Sequence, residues 1–85
     1  MPNASDFRAA LNKVFQDAEQ DRLSHVNVKA GDLHRQVGGY PGTDHRMPIC
    51  CDVMRQTMKA GDAILRQPPK GRGASLEIQY KIPRQ

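Results

Sequence analysis

The sequence lacks tryptophan and has few aromatic residues, two phenylalanines and two tyrosines among 85 residues. A core built from this chain must therefore be mostly aliphatic, with methionine filling gaps. Neither a long apolar run nor a secretory signal pattern is present, so we expect a soluble, non-secreted, cytoplasmic protein. The length predicts one domain that buries about 60–65% of its unfolded surface.

Cysteine is almost as scarce, and the only two, Cys50 and Cys51, are adjacent. Neighbours on a helix point about 100° apart and cannot pair without distorting it, so no disulfide framework is expected. His34 and His45 precede them within an eighteen-residue stretch, which leaves a structural metal or a cysteine nucleophile as open alternatives. The spacing matches neither a C-x-x-C nor an H-x₃₋₅-H pattern. We therefore expect buried thiols, no cofactor, no metal and no enzymatic activity.

Charge is distributed unevenly along the chain. Residues 1–44 carry five basic and six acidic side chains, whereas residues 45–85 carry eight basic and three acidic ones, so balances of −1 and +5 give the net charge of +4. A basic half joined to a nearly neutral one favours a polyanionic partner, although an ordinary solvated surface is the simpler alternative.

The first helix is predicted over residues 5–22, with Ser5 as N-cap and Asp6 in the first turn. Its apolar residues recur at helical spacing, which indicates a helix that anchors the core or forms a dimer contact. These residues are Phe7, Ala10, Leu11, Val14, Phe15 and Ala18.

Short elements follow the first helix. Alternating valines predict a strand over 24–29, and a two-turn helix over 30–38 should end at the glycines after it. The breaker-rich segment 40–45 predicts a turn. A third helix is predicted over 48–59, with a proline in its first position and Gly61 as its C-cap.

Two strands should complete the chain. Residues 62–67 form the first, and residues 75–82 alternate apolar and polar side chains over the whole length of the second. Between them, 68–73 holds two prolines and two glycines and cannot continue a strand, so the pair should form a hairpin that ends at Pro83.

The third predicted helix has two unlike sides. Cys50, Cys51, Val53, Met54 and Met58 form an apolar side, and the opposite side carries Asp52, Arg55, Gln56 and Lys59, with Arg46 just ahead. An amphipathic helix with Arg, Gln and Lys on its solvent face fits the major groove of DNA.

The order α, β, α, turn, α, β, loop, β resembles the winged helix-turn-helix family over residues 5–82, with 1–4 and 83–85 as flexible termini. The resemblance implies an α+β fold of three helices and a small antiparallel sheet with a C-terminal hairpin wing. It also implies a recognition helix at 48–59. The connection 40–47 is longer than the tight turn of a compact helix-turn-helix. The segments LHRQVGGYPG, HRMPICCDVM and GASLEIQYKIP are also similar to small bacterial proteins, which implies no particular activity.

The side-chain chemistry of these residues predicts their roles along the third helix. Arg46 and Arg55 would donate to guanine, Gln56 would pair with adenine, and Lys59 would meet phosphate. Asp52 would repel phosphate unless it pairs with a neighbouring side chain or accepts a hydrogen bond from cytosine. The resemblance implies a wing at 68–73 over the neighbouring backbone or minor groove, where Lys70 and Arg72 would bring positive charge; a plain hairpin turn is the alternative.

The resulting prediction is a double-stranded DNA-binding protein, either a transcriptional regulator or an accessory factor of a mobile element. Useful specificity from so small a domain calls for a dimer, for which the first helix is the candidate surface. The alternative is a winged-helix module that binds another protein and no nucleic acid.

Overall fold

The computed structural model describes residues 3–38, 46–69 and 73–83. They form three helices and one antiparallel sheet of three strands, so the predicted α+β class is confirmed. No helix in these ranges is long and apolar enough to cross a lipid bilayer. In chain order the elements are α1 (Ala4–Gln20), β1 (His25–Lys29), α2 (Ala30–Val37), α3 (Met47–Gln56), β2 (Ala63–Arg66) and β3 (Glu77–Lys81).

The sheet has the strand order β1-β3-β2, with the last strand in the middle. Val28 of β1 and Ile64 of β2 both lie opposite Ile78 of β3, so the three side chains share the face that packs against the helices. Tyr80 lies two residues further along the same face and is fully buried. The register shifts between Ile64 and Arg66, which places an irregularity in the edge strand β2.

Helix α1 begins one residue earlier than predicted, and Ser5 is not its cap. The N-cap is Asn3, whose side chain accepts a hydrogen bond from the Asp6 N–H while the Asp6 carboxylate accepts one from the Asn3 N–H. This reciprocal pair satisfies two of the backbone donors at the helix start, which a cap at Ser5 would not achieve with this sequence. The helix ends at Gln20, two residues before the predicted end.

The apolar stripe of α1 anchors the core of its own chain. Phe7, Leu11, Phe15 and Ala18 are buried, and Ala10 and Val14 pack partly against them. The Phe15 ring meets the Tyr80 ring edge-on at a centroid distance of 5.0 Å, which connects α1 to the central strand.

Helix α2 follows β1 directly and ends as predicted. Gly38 is its C-cap with a φ of +111°, a conformation that favours glycine. The helix start has no side-chain cap; instead the Ala30 N–H donates to the Leu76 carbonyl at 2.8 Å and the Gly31 N–H donates to the Ala74 carbonyl at 3.0 Å. The residues just before β3 therefore cap α2.

Helix α3 is shorter than predicted, since it ends at Gln56 rather than at Lys59. Beyond it, the Lys59 N–H donates to the Asp62 carboxylate at 2.7 Å, a bond that continued helix would not allow. Gly61 is therefore not the C-cap; it has a φ of +96° in the turn that leads into β2. The polar residues keep helical spacing up to Lys59, but the helix itself ends three residues earlier.

Candidate nucleic-acid interface

One side of α3 lies in the core and the other faces outward. Of the residues predicted for the outward side, Gln56 is exposed while Asp52 and Arg55 are half-buried. Pro48 and Ile49 are exposed beside them. We call these five residues the outer strip. The buried side consists of Met47, Cys50, Cys51, Val53 and Met54.

A buried histidine holds the start of α3. The Arg46 N–H donates to Nε2 of His34 at 2.7 Å, so this nitrogen is the acceptor that fixes the first residue of the helix start. His34 is fully buried, and its ring meets the Phe7 ring edge-on at 4.9 Å. Arg46, which was predicted to contact guanine, is the N-cap residue of α3 and is half-buried.

A tyrosine hydroxyl holds the other end of α3. The Tyr80 hydroxyl donates to the Met54 carbonyl at 2.8 Å, and both residues are fully buried. In a continued helix the Met58 N–H would donate to the Met54 carbonyl, but here it donates to the Arg55 carbonyl at 3.2 Å, so the Tyr80 hydroxyl takes its place as the donor. Helix α3 is thus fixed at one end by α2 and at the other by β3.

The two cysteines lie in the core, as predicted. The Cys50 thiol points at the Ala30 carbonyl with a sulfur–oxygen distance of 3.6 Å, and the Cys51 thiol points at the Gly73 carbonyl at 3.4 Å. Burial, and then the neighbouring Cys51, raises the pKa of Cys50 from 9.0 to about 12. A thiol held protonated at neutral pH is a poor nucleophile.

The described part of the chain contains no group of three or more His, Cys, Asp or Glu residues placed to hold a metal ion. His34 uses Nε2 for the Arg46 N–H, and His45 lies outside the described residues.

The two ends of the loop between β2 and β3 contact each other, and the Gly73 end contacts α3. Pro68 is buried, and a Cβ added to Gly73 would lie 2.9 Å from the Pro68 Cβ, so the two ends of the loop touch. The Cys51–Gly73 contact joins this closed base to the middle of α3. Lys70 and Arg72, predicted to bind nucleic acid, lie outside the described residues.

Lys59 does not belong to the outer strip, contrary to the prediction. It lies in the turn after α3, where Asp62 accepts its N–H through one oxygen and the Lys81 N–H through the other, both at 2.7 Å. This carboxylate connects the end of α3 to the last strand. Lys59 can reach phosphate only from the turn, not from the helix face.

Two features of this region were not predicted from the sequence. Ile49 is 36% exposed in the first turn of α3, on the outward side. The sequence did contain a signal for this exposure. A helix turns about 100° per residue, so Ile49 must point away from the side that carries the buried residues Cys50 and Met54. His34 was also missed as a contact of α3, although it follows Leu33 on the buried side of α2.

Comparisons with protein-family models, with curated proteins and with solved structures find no match for this chain.

Proposed function

We propose that the protein is a winged helix-turn-helix domain that binds double-stranded DNA, with α3 in the major groove and the β2–β3 loop on the adjacent backbone. The observation that carries the proposal is the contact of Cys51 with Gly73 at 3.4 Å, since it joins the base of the loop to the helix that carries the outer strip. The proposal requires one duplex to meet both features together. The strand order β1-β3-β2 with three helices is compatible with this class.

Charge and hydrogen-bonding capacity support the same proposal. Residues 45–85, which contain α3 and the loop, carry eight basic and three acidic side chains. Phosphate neutralisation by lysine and arginine provides most of the affinity of a small DNA-binding domain. Arg55 and Gln56 at the end of the outer strip carry the side-chain types that pair with guanine and adenine edges.

The biological role we propose is that of a transcriptional regulator or an accessory factor of a mobile element, acting as a dimer. The apolar stripe of α1 lies in the core, so a dimer through α1 would use its exposed polar side. The residues available there include Arg8, Asn12, Lys13, Asp17 and Glu19.

Salt-dependent binding tests the proposal. Fluorescence anisotropy with a labelled 20-base-pair duplex of mixed sequence should show binding that weakens as salt rises. Replacing Lys70 and Arg72 with alanine should make the slope of log K against log[salt] shallower by about 1.8, since each lost phosphate contact removes about 0.9. The matched control replaces Arg22 and Lys29, two exposed cations outside α1, α3 and the β2–β3 loop, and should leave the slope unchanged.

A protein-binding module is the second candidate, and Asp52 is the observation that favours it. This carboxylate lies half-buried in the outer strip, where it opposes the approach of phosphate. Under this alternative the wild-type protein shows no salt-dependent affinity for any duplex at 50 mM salt, and the two double variants behave alike.

A further inference from the structure

We infer that α3 recognises A·T pairs directly, with Ile49 against a thymine methyl group and Gln56 on the edge of an adenine about three base pairs away. The inference deepens the proposed function and rests on it, because it assumes that the outer strip enters the major groove.

The outer strip has no net charge, which decides what kind of contact it can make. Asp52 and Arg55 are its two charged members and cancel each other. A neutral surface gains little from the phosphate backbone, and Asp52 makes that approach unfavourable. If this strip meets DNA, the favourable contacts are therefore those with base edges.

Ile49 supplies the apolar contact. It lies in the first turn of α3, the part of a recognition helix that reaches base edges. The other large apolar side chains that are exposed in the described ranges lie outside α3, Leu23 at 45% in the α1–β1 connection and Leu65 at 48% in β2. In the major groove the C5-methyl group of thymine is the base feature that an aliphatic side chain can contact favourably.

Gln56 supplies the polar contact at the opposite end of the strip. It is exposed and lies seven residues after Ile49, so the two side chains share one side of the helix. Seven residues span about 10 Å of helix axis, which matches about three base-pair steps of 3.4 Å. Glutamine pairs with the N6 and N7 atoms of adenine, so the strip would read an A·T pair at each end of a four-base-pair segment.

Removing the methyl group from the DNA tests the inference. Wild-type protein is first used to select binding sites from a library of randomised 20-base-pair duplexes, and the selected sites should share A·T pairs about three positions apart. The best site is then synthesised with uracil at the thymine in question, which deletes only the methyl group. Wild-type affinity should fall about three- to fivefold, the value of one buried methyl group.

Variants of Ile49 show whether this residue makes the contact. Ile49→Ala should weaken binding to the thymine duplex by a similar factor and should no longer distinguish thymine from uracil, whereas Ile49→Val should keep most of the preference. Gln56→Ala should relax the requirement for the second A·T pair about tenfold. Leu65→Ala is the matched control, since it removes an exposed apolar side chain from β2 and should change neither affinity nor preference.

The outcomes separate the two proposals. If wild-type protein selects and binds duplexes but binds the uracil and thymine versions equally, the reading by Ile49 is wrong while DNA binding stands. The same conclusion follows if Ile49→Ala keeps the full thymine preference. If the library yields no binding at any salt concentration, the proposed function fails and the inference fails with it.

Discussion

Replacing Tyr80 with phenylalanine removes one hydroxyl group from the contact between the central strand and the end of α3. The aromatic ring stays, so its edge-on contact with Phe15 at 5.0 Å is retained. What is lost is the 2.8 Å hydrogen bond to the Met54 carbonyl, inside a fully buried region. The variant therefore leaves the buried Met54 carbonyl without this donor.

The expected cost follows from the burial of both partners. A buried carbonyl that loses its donor costs about 1–3 kcal/mol, so we expect the free energy of unfolding to fall by about 2 kcal/mol. In a domain of this size 1 kcal/mol shifts Tm by about 4–8 °C, so Tm should fall by about 10 °C. The m-value should not change, because the surface exposed on unfolding is almost the same.

Urea unfolding followed by circular dichroism measures the difference. The comparison variant is Thr57→Val, which also removes a hydroxyl donor to a carbonyl in the last turn of α3, here that of Val53 at 2.7 Å. That carbonyl keeps the Thr57 N–H at 3.1 Å, so the loss should be less than half as large. Equal losses in the two variants, or a loss below about 0.5 kcal/mol in Tyr80→Phe, would refute the assignment of Tyr80 as the donor that fixes α3.

Three further predictions concern the residues around α3. In the unfolded chain the Cys50 thiol ionises near pH 9.0, whereas in the folded protein its pKa is about 12, so the free energy of unfolding should fall as pH rises between these values. A pH series of urea unfolding should show a smaller decline in Cys50→Ala. His34→Phe keeps an aromatic ring but removes the acceptor of the Arg46 N–H, and thermal unfolding should show a loss of about 2 kcal/mol. Gly61→Ala should cost at least about 1 kcal/mol by urea unfolding, because φ is +96° and the new Cβ would lie 3.0 Å from the Lys81 Cδ.

Regular apolar spacing made the largest part of the fold predictable. The alternation of Leu76, Ile78, Tyr80 and Ile82 predicted a strand with one buried side, and all four residues are buried. The stripe of α1 was equally regular. Both patterns extend over many residues, and in each element one side faces the core and the other faces solvent. The local sequence alone is therefore sufficient to predict the type of element and its buried side.

Element ends and the contacts of α3 were less predictable, because they depend on residues distant in sequence. The start of α2 is capped by carbonyls more than forty residues later, at Ala74 and Leu76. The Asp62 carboxylate accepts the Lys59 N–H and also the Lys81 N–H of β3, so the turn after α3 is held by a strand nineteen residues later. Only the folded chain brings these groups together, and a cap made of backbone carbonyls leaves no sequence signal.

If α3 binds DNA as proposed, the placement of its polar and apolar residues should allow duplex affinity and stability to be changed independently. Buried groups on α2 and β3, His34 and Tyr80, fix the helix from the core side, while Ile49 and Gln56 lie on the opposite side. Substitutions in the outer strip should therefore change duplex affinity with little effect on unfolding. Cys51 has a different position, since its thiol joins the helix to the base of the β2–β3 loop through Gly73. Of the buried residues of α3, it is the one whose replacement by alanine should alter how the helix and the loop meet a single duplex.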